Sequence, residues 1–328
     1  MRPFRYVRAE RVPEALEALA GAPGAKPLAG GTNLVDLMRL DVEQPDVLVD
    51  VNAIGFDRID DADGGGLSIG AGVRNSDLAA DPRVRERFPM LAEALLAGAS
   101  GQLRNLATVG GNLMQRTRCL YFQDVSKPCN KRAPGSGCPA REGEHRNLAI
   151  LGHSDACVAT HPSDMAVALA ALDATVHVEG PAGARAVPLT ELHRLPGDHP
   201  ERDTVLERDE LVVAVTVPPL GIPAAYTTYR KVRERASFAF ALVSIAAAVD
   251  ARGGTIRDAR IALGGVAHRP WRATRAEDVL RGSAATVQSI EAAADAELES
   301  AMPLRDNAYK VELARNLIVD VVQELVGR

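Results

Sequence analysis

The chain has 328 residues, 46% of them hydrophobic and 25% charged, with a formal net charge of -5 at pH 7. That balance is the composition of a globular protein of two or three domains, large enough to bury a core without the disulfide staples of small secreted folds. The slight acidity argues against a sequence-independent grip on nucleic acid, which needs a basic surface to release phosphate counterions.

The opening "MRPFRYVRAERVPEALEAL" holds no apolar run long enough for a signal peptide or a membrane span. The chain is therefore expected to be made in the cytoplasm, and to reach another compartment only beside a signal-bearing partner. "VPEALEALA" (Val12–Ala20) places apolar residues at helical spacing, with proline where a first turn tolerates it. "LAGGTNLVDLM" (Leu28–Met38) follows, with paired glycines before an apolar helical pattern. Paired glycines let a backbone approach a ligand, and the N–H groups at the helix start favour phosphate. "DVLVDV" (Asp46–Val51) and "LSIGAGV" (Leu67–Val73) alternate as strands do.

"MLAEALLAGA" (Met90–Ala99) predicts a helix, and "SGQLRNLATVGGN" (Ser100–Asn112) predicts a loop, being rich in glycine and asparagine. Its "TVGGN" repeats the chemistry of the first glycine loop. One such loop is as readily a turn and helix cap; two matching loops point to a diphosphate ligand. Neither G-x-G-x-x-G after a strand nor G-x-x-x-x-G-K-[ST] occurs, so a Rossmann site or P-loop is not supported.

All four cysteines, Cys119, Cys129, Cys138 and Cys157, fall in the polar, glycine- and proline-broken stretch that comes next. Confinement to such a segment is unlike inert buried thiols, and no C-x-x-C occurs, the short knuckle usual in structural zinc sites. A [4Fe–4S] cluster needs four thiolates and tolerates irregular spacing where a loop wraps it; it is the favoured reading, with zinc left open. His153, Cys157 and His161 recur at four-residue spacing, but Gly152 and Pro162 interrupt any helix, so His161 is expected as a loop residue and not as a ligand. Arg116 and Arg118, beside the first cysteine, either offset the charge of a cluster or face water.

"DMAVALAALDATVHVEG" (Asp164–Gly180) predicts a helix running into a strand, and "ELVVAVTVP" (Glu210–Pro218) a buried strand ended by a proline pair that marks a domain boundary. Three strands are expected at Tyr226–Val232, Ala241–Val249 and Arg260–Val266, followed by helices, the last at Asn307–Val326. Strands first and helices afterwards is the order of an α+β domain. The basic run Arg230, Lys231, Arg233, Arg235 reads as a local anion contact or a solvated face.

"AGGTN", "TVGGN", "HPSDMAVALAALDA", "ELVVAVTVP", "YRKVRERASFAFALVSIA" and "IALGGVAHRPWRA" stand in this order along the whole chain. Together they resemble the flavin-binding subunit of the molybdenum hydroxylases, the xanthine dehydrogenase and carbon monoxide dehydrogenase family. The resemblance implies an α+β fold: a two-lobed FAD-binding (PCMH-type) domain over 1–221, with lobes at about 1–55 and 56–221 and a Cys-rich loop at 119–157. A C-terminal domain of antiparallel sheet plus helices would occupy 222–328.

Carried over by residue, Lys26, Pro27, Leu28, Ala29, Gly30, Gly31, Thr32, Asn33 and Leu34 would hold FAD from one side and Thr108, Gly110, Gly111 and Asn112 from the other. Asp164 would bond the nucleotide half, Val212 or its neighbour Leu211 would give an apolar contact, and Lys231 or Arg230 would place a positive charge near the flavin. Most flavin subunits of this family pass almost directly from "TVGGN" to "SDM". The cysteine insertion resembles that of the periplasmic aldehyde oxidoreductase flavin subunit, and also that of 4-hydroxybenzoyl-CoA reductase.

The resemblance implies an electron-carrying subunit with no catalytic acid, base or nucleophile of its own. Its partners would be a [2Fe–2S] small subunit and a large subunit with the molybdenum cofactor, where aldehyde is oxidised to acid. Ferredoxin, dioxygen, a quinone or NAD would accept the electrons, in the periplasm if the complex is exported. A reductase of aromatic thioesters and a zinc-stapled assembly protein are the rival readings.

Overall fold

A computed structural model describes all 328 residues. Its strands form three separate sheets. The first lies in β1 (Arg5–Arg8), α1 (Val12–Ala20), β2 (Ala25–Leu28), α2 (Leu34–Arg39) and β3 (Val47–Asp50), with β3 parallel to both β1 and β2. Its small core of Ala9, Ala15, Leu19, Ala25, Val47 and Val49 is too small to close by itself, and Leu211 from far along the chain completes it.

The second sheet is antiparallel, in the order β4 (Ile59–Ala62), β5 (Gly66–Gly70), β8 (Leu211–Val217), β6 (Thr175–Gly180), β7 (Gly183–Pro188). Between β5 and β6 run α3 (Asn75–Ala80), α4 (Pro82–Arg87), α5 (Pro89–Ala97), α6 (Gly101–Leu106), α7 (Val109–Leu113), α8 (Leu120–Gln123) and α9 (Asp164–Ala171); α10 (Leu189–Leu192) follows β7. Helix α9 is buried at every position, as its almost unbroken apolar sequence requires.

The expected loop over Ser100–Asn112 is instead two short helices, α6 and α7. Ser100 and Thr108 cap them, their hydroxyl oxygens accepting from the N–H of Leu103 (3.3 Å) and of Gly111 (3.1 Å). These caps satisfy helix-start donors, and outweigh the poor helix propensity of glycine.

The third sheet has the order β12-β11-β10-β9, from β9 (Thr227–Val232), β10 (Val243–Arg252), β11 (Thr255–Gly264) and β12 (Trp271–Arg272). Helices α11 (Thr274–Leu280), α12 (Val287–Leu298) and α13 (Tyr309–Val326) share one core with Val243, Ile245, Ala247 and Val249 of β10, the alternation of a strand with one face on the helices. The strands-then-helices order thus gives the expected α+β arrangement.

The segment before and within α13 grips the far end of the cysteine loop. Lys310, fully buried, donates to the carbonyls of Leu148 (2.9 Å) and Asn147 (3.2 Å) and to that of Gly265. Asn307 Nδ2 donates to Ala149 O at 3.1 Å, and Met302 N to Ile150 O at 2.8 Å. Burial pulls the Lys310 amine down to about 7.

Candidate functional site

The first glycine loop leaves β2 at Leu28 and enters α2 at Leu34. Gly31 has φ 73°, which a side chain would resist, and a Cβ on Gly30 would stand 1.9 Å from the carbonyl oxygen of Leu106. Glycine is therefore what lets this loop lie against the end of α6. The N–H groups of Gly30, Gly31, Thr32, Asn33 and Leu34 are paired with no acceptor of the chain. Five consecutive open donors at a half-buried loop are an anion cradle. Asn52 Nδ2 braces Ala29 O at 3.1 Å, while Arg74 reaches Asn52 Oδ1 (3.2 Å) and Leu106 O (2.6 Å).

The second loop is built differently. Val109 N donates to Val73 O (3.0 Å), Gly110 N to Ala71 O (2.8 Å) and Gly111 N to the Thr108 hydroxyl. Its donors are consumed inside the protein, so Thr108, Gly110, Gly111 and Asn112 form a wall beside the open loop and not a second cradle. Gly110 is needed because a Cβ there would press on Ala71 at 3.1 Å. Ser163, which caps α9, donates to Asn112 Oδ1 at 2.6 Å and ties this wall to Asp164.

Asp164 is buried, accepting from Tyr229 Oη at 2.5 Å and Lys231 Nζ at 2.8 Å. Burial and the Asp164 charge push the Tyr229 phenol well above its ordinary value. Lys231 also donates to Ala97 O (3.1 Å), so its charge is spent within the fold. Arg230 pairs with Glu324, Arg233 with Ala97 O and Arg235 with Phe238 O. Lys231 is thus internal wiring, while Arg230 and Arg235 remain at the surface as a solvated face would have them. In β8, Leu211 packs on the first sheet's core and Val212 on the second's.

The four cysteines converge. Cys119, Cys129, Cys138 and Cys157 all line one small cavity, with Phe122 and Lys131 in its wall. The nearby backbone N–H groups favour the thiolate forms: those of Tyr121 and Phe122 at Cys119, of Ala140, Arg141 and Val158 at Cys138, and of Ala159 at Cys157. Such donors stabilise thiolates and clusters bound to them. A bond to Cys157 is the main cause holding Cys138 down to about 6, and the same bond and burial push Cys157 up. No three His, Cys, Asp or Glu side chains meet closely enough to chelate a single ion. His153 bonds Met302 O at 2.6 Å and the His161 ring lies tilted against His193 at 4.2 Å between centroids, so the evenly spaced His153, Cys157 and His161 do not share a site.

Residues that no motif announced join the two regions. Arg116 N donates to Asn33 Oδ1 at 3.0 Å, at the end of the open loop. Its guanidinium, 4.7 Å from the Phe122 ring centroid, pairs with Glu43 (2.5 Å) and Asp203 (2.8 Å). Glu43 pairs onward with Lys26 (3.0 Å), and Asp203 with Lys131 (2.5 Å). Burial alone would raise both carboxyls, but the flanking cations outweigh it and hold them below the ordinary range. Lys26, expected at the ligand, faces Glu43; Pro27 and Leu28 pair with Val49 and Asp50 of β3. Arg118 stacks on Phe240 at 5.3 Å.

Residues 2–220 match the family described as the FAD binding domain in molybdopterin dehydrogenase, and 227–325 the CO dehydrogenase flavoprotein C-terminal domain. The aldehyde oxidoreductase FAD-binding subunit PaoB of Escherichia coli is 51% identical over 99% of this chain and 98% of its own. The glyceraldehyde dehydrogenase medium chain of Sulfolobus acidocaldarius is 31% identical over 84% of this chain and 79% of its own. Among solved structures, carbon monoxide dehydrogenase from Hydrogenophaga pseudoflava superposes with a TM-score of 0.75 at 29% identity, covering 98% of this chain and 96% of that one.

Proposed function

The chain belongs to the FAD-binding medium subunits of the molybdenum hydroxylase family, and from that premise we propose that it is the FAD- and [4Fe–4S]-carrying electron-transfer subunit of a molybdenum-dependent aldehyde oxidoreductase. The observation that carries the reading is Arg116. Its backbone holds the open donor loop while its guanidinium packs on Phe122, a residue of the four-thiol cavity's wall, so the two proposed redox sites are braced by one residue.

Both sites fit the groups proposed for them. Five unpaired N–H donors suit a pyrophosphate, and the buried, unpartnered Asn33 Nδ2 adds a sixth. Four thiols around one cavity, with backbone N–H groups near three of the sulfurs, suit a cluster that spreads its ligands more widely than a single ion does. When bound, FAD supplies a centre that accepts one or two electrons, and the cluster one that accepts one.

The chain's own residues do the holding. Gly30 to Leu34 offer backbone donors, the second glycine loop gives a wall, and Asp164 is fixed by Tyr229 and Lys231. A large subunit would oxidise aldehyde to acid, a [2Fe–2S] subunit would deliver the electrons, and an external acceptor would remove them. The similarity to PaoB supports aldehyde over an aromatic thioester as the substrate class.

The test is an absorption spectrum with iron, sulfide, zinc and flavin analysis on the anaerobically purified complex, repeated for Cys129→Ser/Cys138→Ser. Loss of about four irons per chain with flavin retained supports the reading. Zinc in place of iron, or turnover of a thioester and not of an aldehyde with a dye acceptor, overturns it.

A further inference from the structure

Among the residues that line the thiol cavity, Lys131 is the only one with a cationic side chain. It sits in the loop between Cys129 and Cys138, and its side chain is 1% exposed. The ammonium donates to Pro200 O at 2.6 Å and to Asp203 Oδ1 at 2.5 Å. Asp203 is not part of the cavity lining, and its other oxygen is taken by Arg116. Charges then alternate through Lys131, Asp203, Arg116, Glu43 and Lys26, with the positive end at the residue that lines the thiol cavity.

The rest of the wall near Lys131 is uncharged. Asn130, Tyr121, Phe122 and Pro128 line it, and His268, which feels the Lys131 charge, is held down to about 3 by burial first and by that ammonium second. In an interior of low dielectric a fixed charge acts strongly over several ångströms. A metal centre bound by four thiolates becomes more negative on reduction, so an adjacent ammonium favours the reduced form.

We propose that Lys131 sets the reduction potential of the metal centre held by Cys119, Cys129, Cys138 and Cys157, and that Asp203 limits how far it raises that potential. This rests on the reading of the four cysteines as cluster ligands. In the step concerned the centre gains one electron from a reductant such as dithionite, and no bond to sulfur breaks. Lys131 is a positioning charge and touches no substrate.

The experiment is an anaerobic redox titration of the assembled complex with mediators and dithionite, followed by EPR, with iron counted in each sample. Lys131→Gln removes the charge and shifts the potential to more negative values. Asp203→Asn leaves Lys131 less compensated and shifts it the other way. A tenfold change in the reduction equilibrium, 59 mV for one electron, is the size expected for each. Lys131→Arg restores most of the wild-type value.

Opposite signs separate a charge effect from mere loosening of the loop, which would move both variants alike. Shifts of the same sign, or none, with iron intact overturn the proposal. If Lys131→Gln loses its iron, Asp203→Asn decides alone: no positive shift overturns it. Wild-type complex whose iron is fully accounted for by its [2Fe–2S] subunit overturns the four-thiol reading itself, and the proposal with it.

Discussion

Lys231 Nζ stands 2.8 Å from Asp164 Oδ2, with 3% and 9% of the two side chains exposed, and the pair joins the third sheet to helix α9. A buried pair contributes little over a well-packed apolar substitute, but breaking it strands a charge. Lys231→Met should therefore lower stability by about 3–5 kcal/mol in urea unfolding. Lys231→Met/Asp164→Asn should lose less than the two single losses combined, because the charges are no longer stranded. Strict additivity would show that the pair is not coupled.

Gly30→Ala should leave the fold intact and empty the flavin site. The new methyl would overlap the Leu106 carbonyl and drive the open donor loop away from α6. Gly31→Ala should act more gently, through the left-handed backbone alone, at about 1–2 kcal/mol. Flavin content against an unchanged circular dichroism spectrum checks both, and full flavin occupancy in Gly30→Ala would refute the first.

Asp203 is held well below the ordinary carboxylate range because Lys131 and Arg116 outweigh its burial. Its stabilisation is fully present above the unfolded value of about 4 and disappears as pH falls through the depressed one. Asp203→Asn should cost about 3–5 kcal/mol at pH 7 and progressively less below pH ~4. Unfolding midpoints measured across that range would reveal a constant difference if the argument is wrong.

His161, His193 and His268 are kept neutral, chiefly by burial, His268 down to about 3. An unfolded chain protonates them near pH 6.5, so their share of stability is complete above that pH and declines on the acid side, for His268 until about 3. Between pH 7 and pH 5 the urea midpoint should fall, and His268→Asn should flatten the slope. An equal slope in that variant would remove His268 from the account.

Local pattern carried much of this structure into the sequence. Helix Val12–Ala20 needs only its apolar spacing and Pro13, and β10 only its short unbroken apolar run, buried on both faces. The glycine loop and the four cysteines were visible because each concentrates one residue type in a short stretch. Lys131, Asp203, Glu43 and Tyr229 were not, since each becomes functional through a partner dozens of residues away that no window contains. The second glycine loop looked like the first by composition. What distinguishes them is whether Val73 and Ala71 have claimed the N–H groups, and that is decided by tertiary pairing.

The grip of Asn307 and Lys310 on residues 147–149 has a consequence for biogenesis. The loop that carries the cysteines is synthesised long before the helix that locks its far end. Until that helix leaves the ribosome, residues 147–149 lack the partners that Asn307 and Lys310 supply. Chains ending before Lys310 should therefore be cut by protease within 145–157, where the full chain resists.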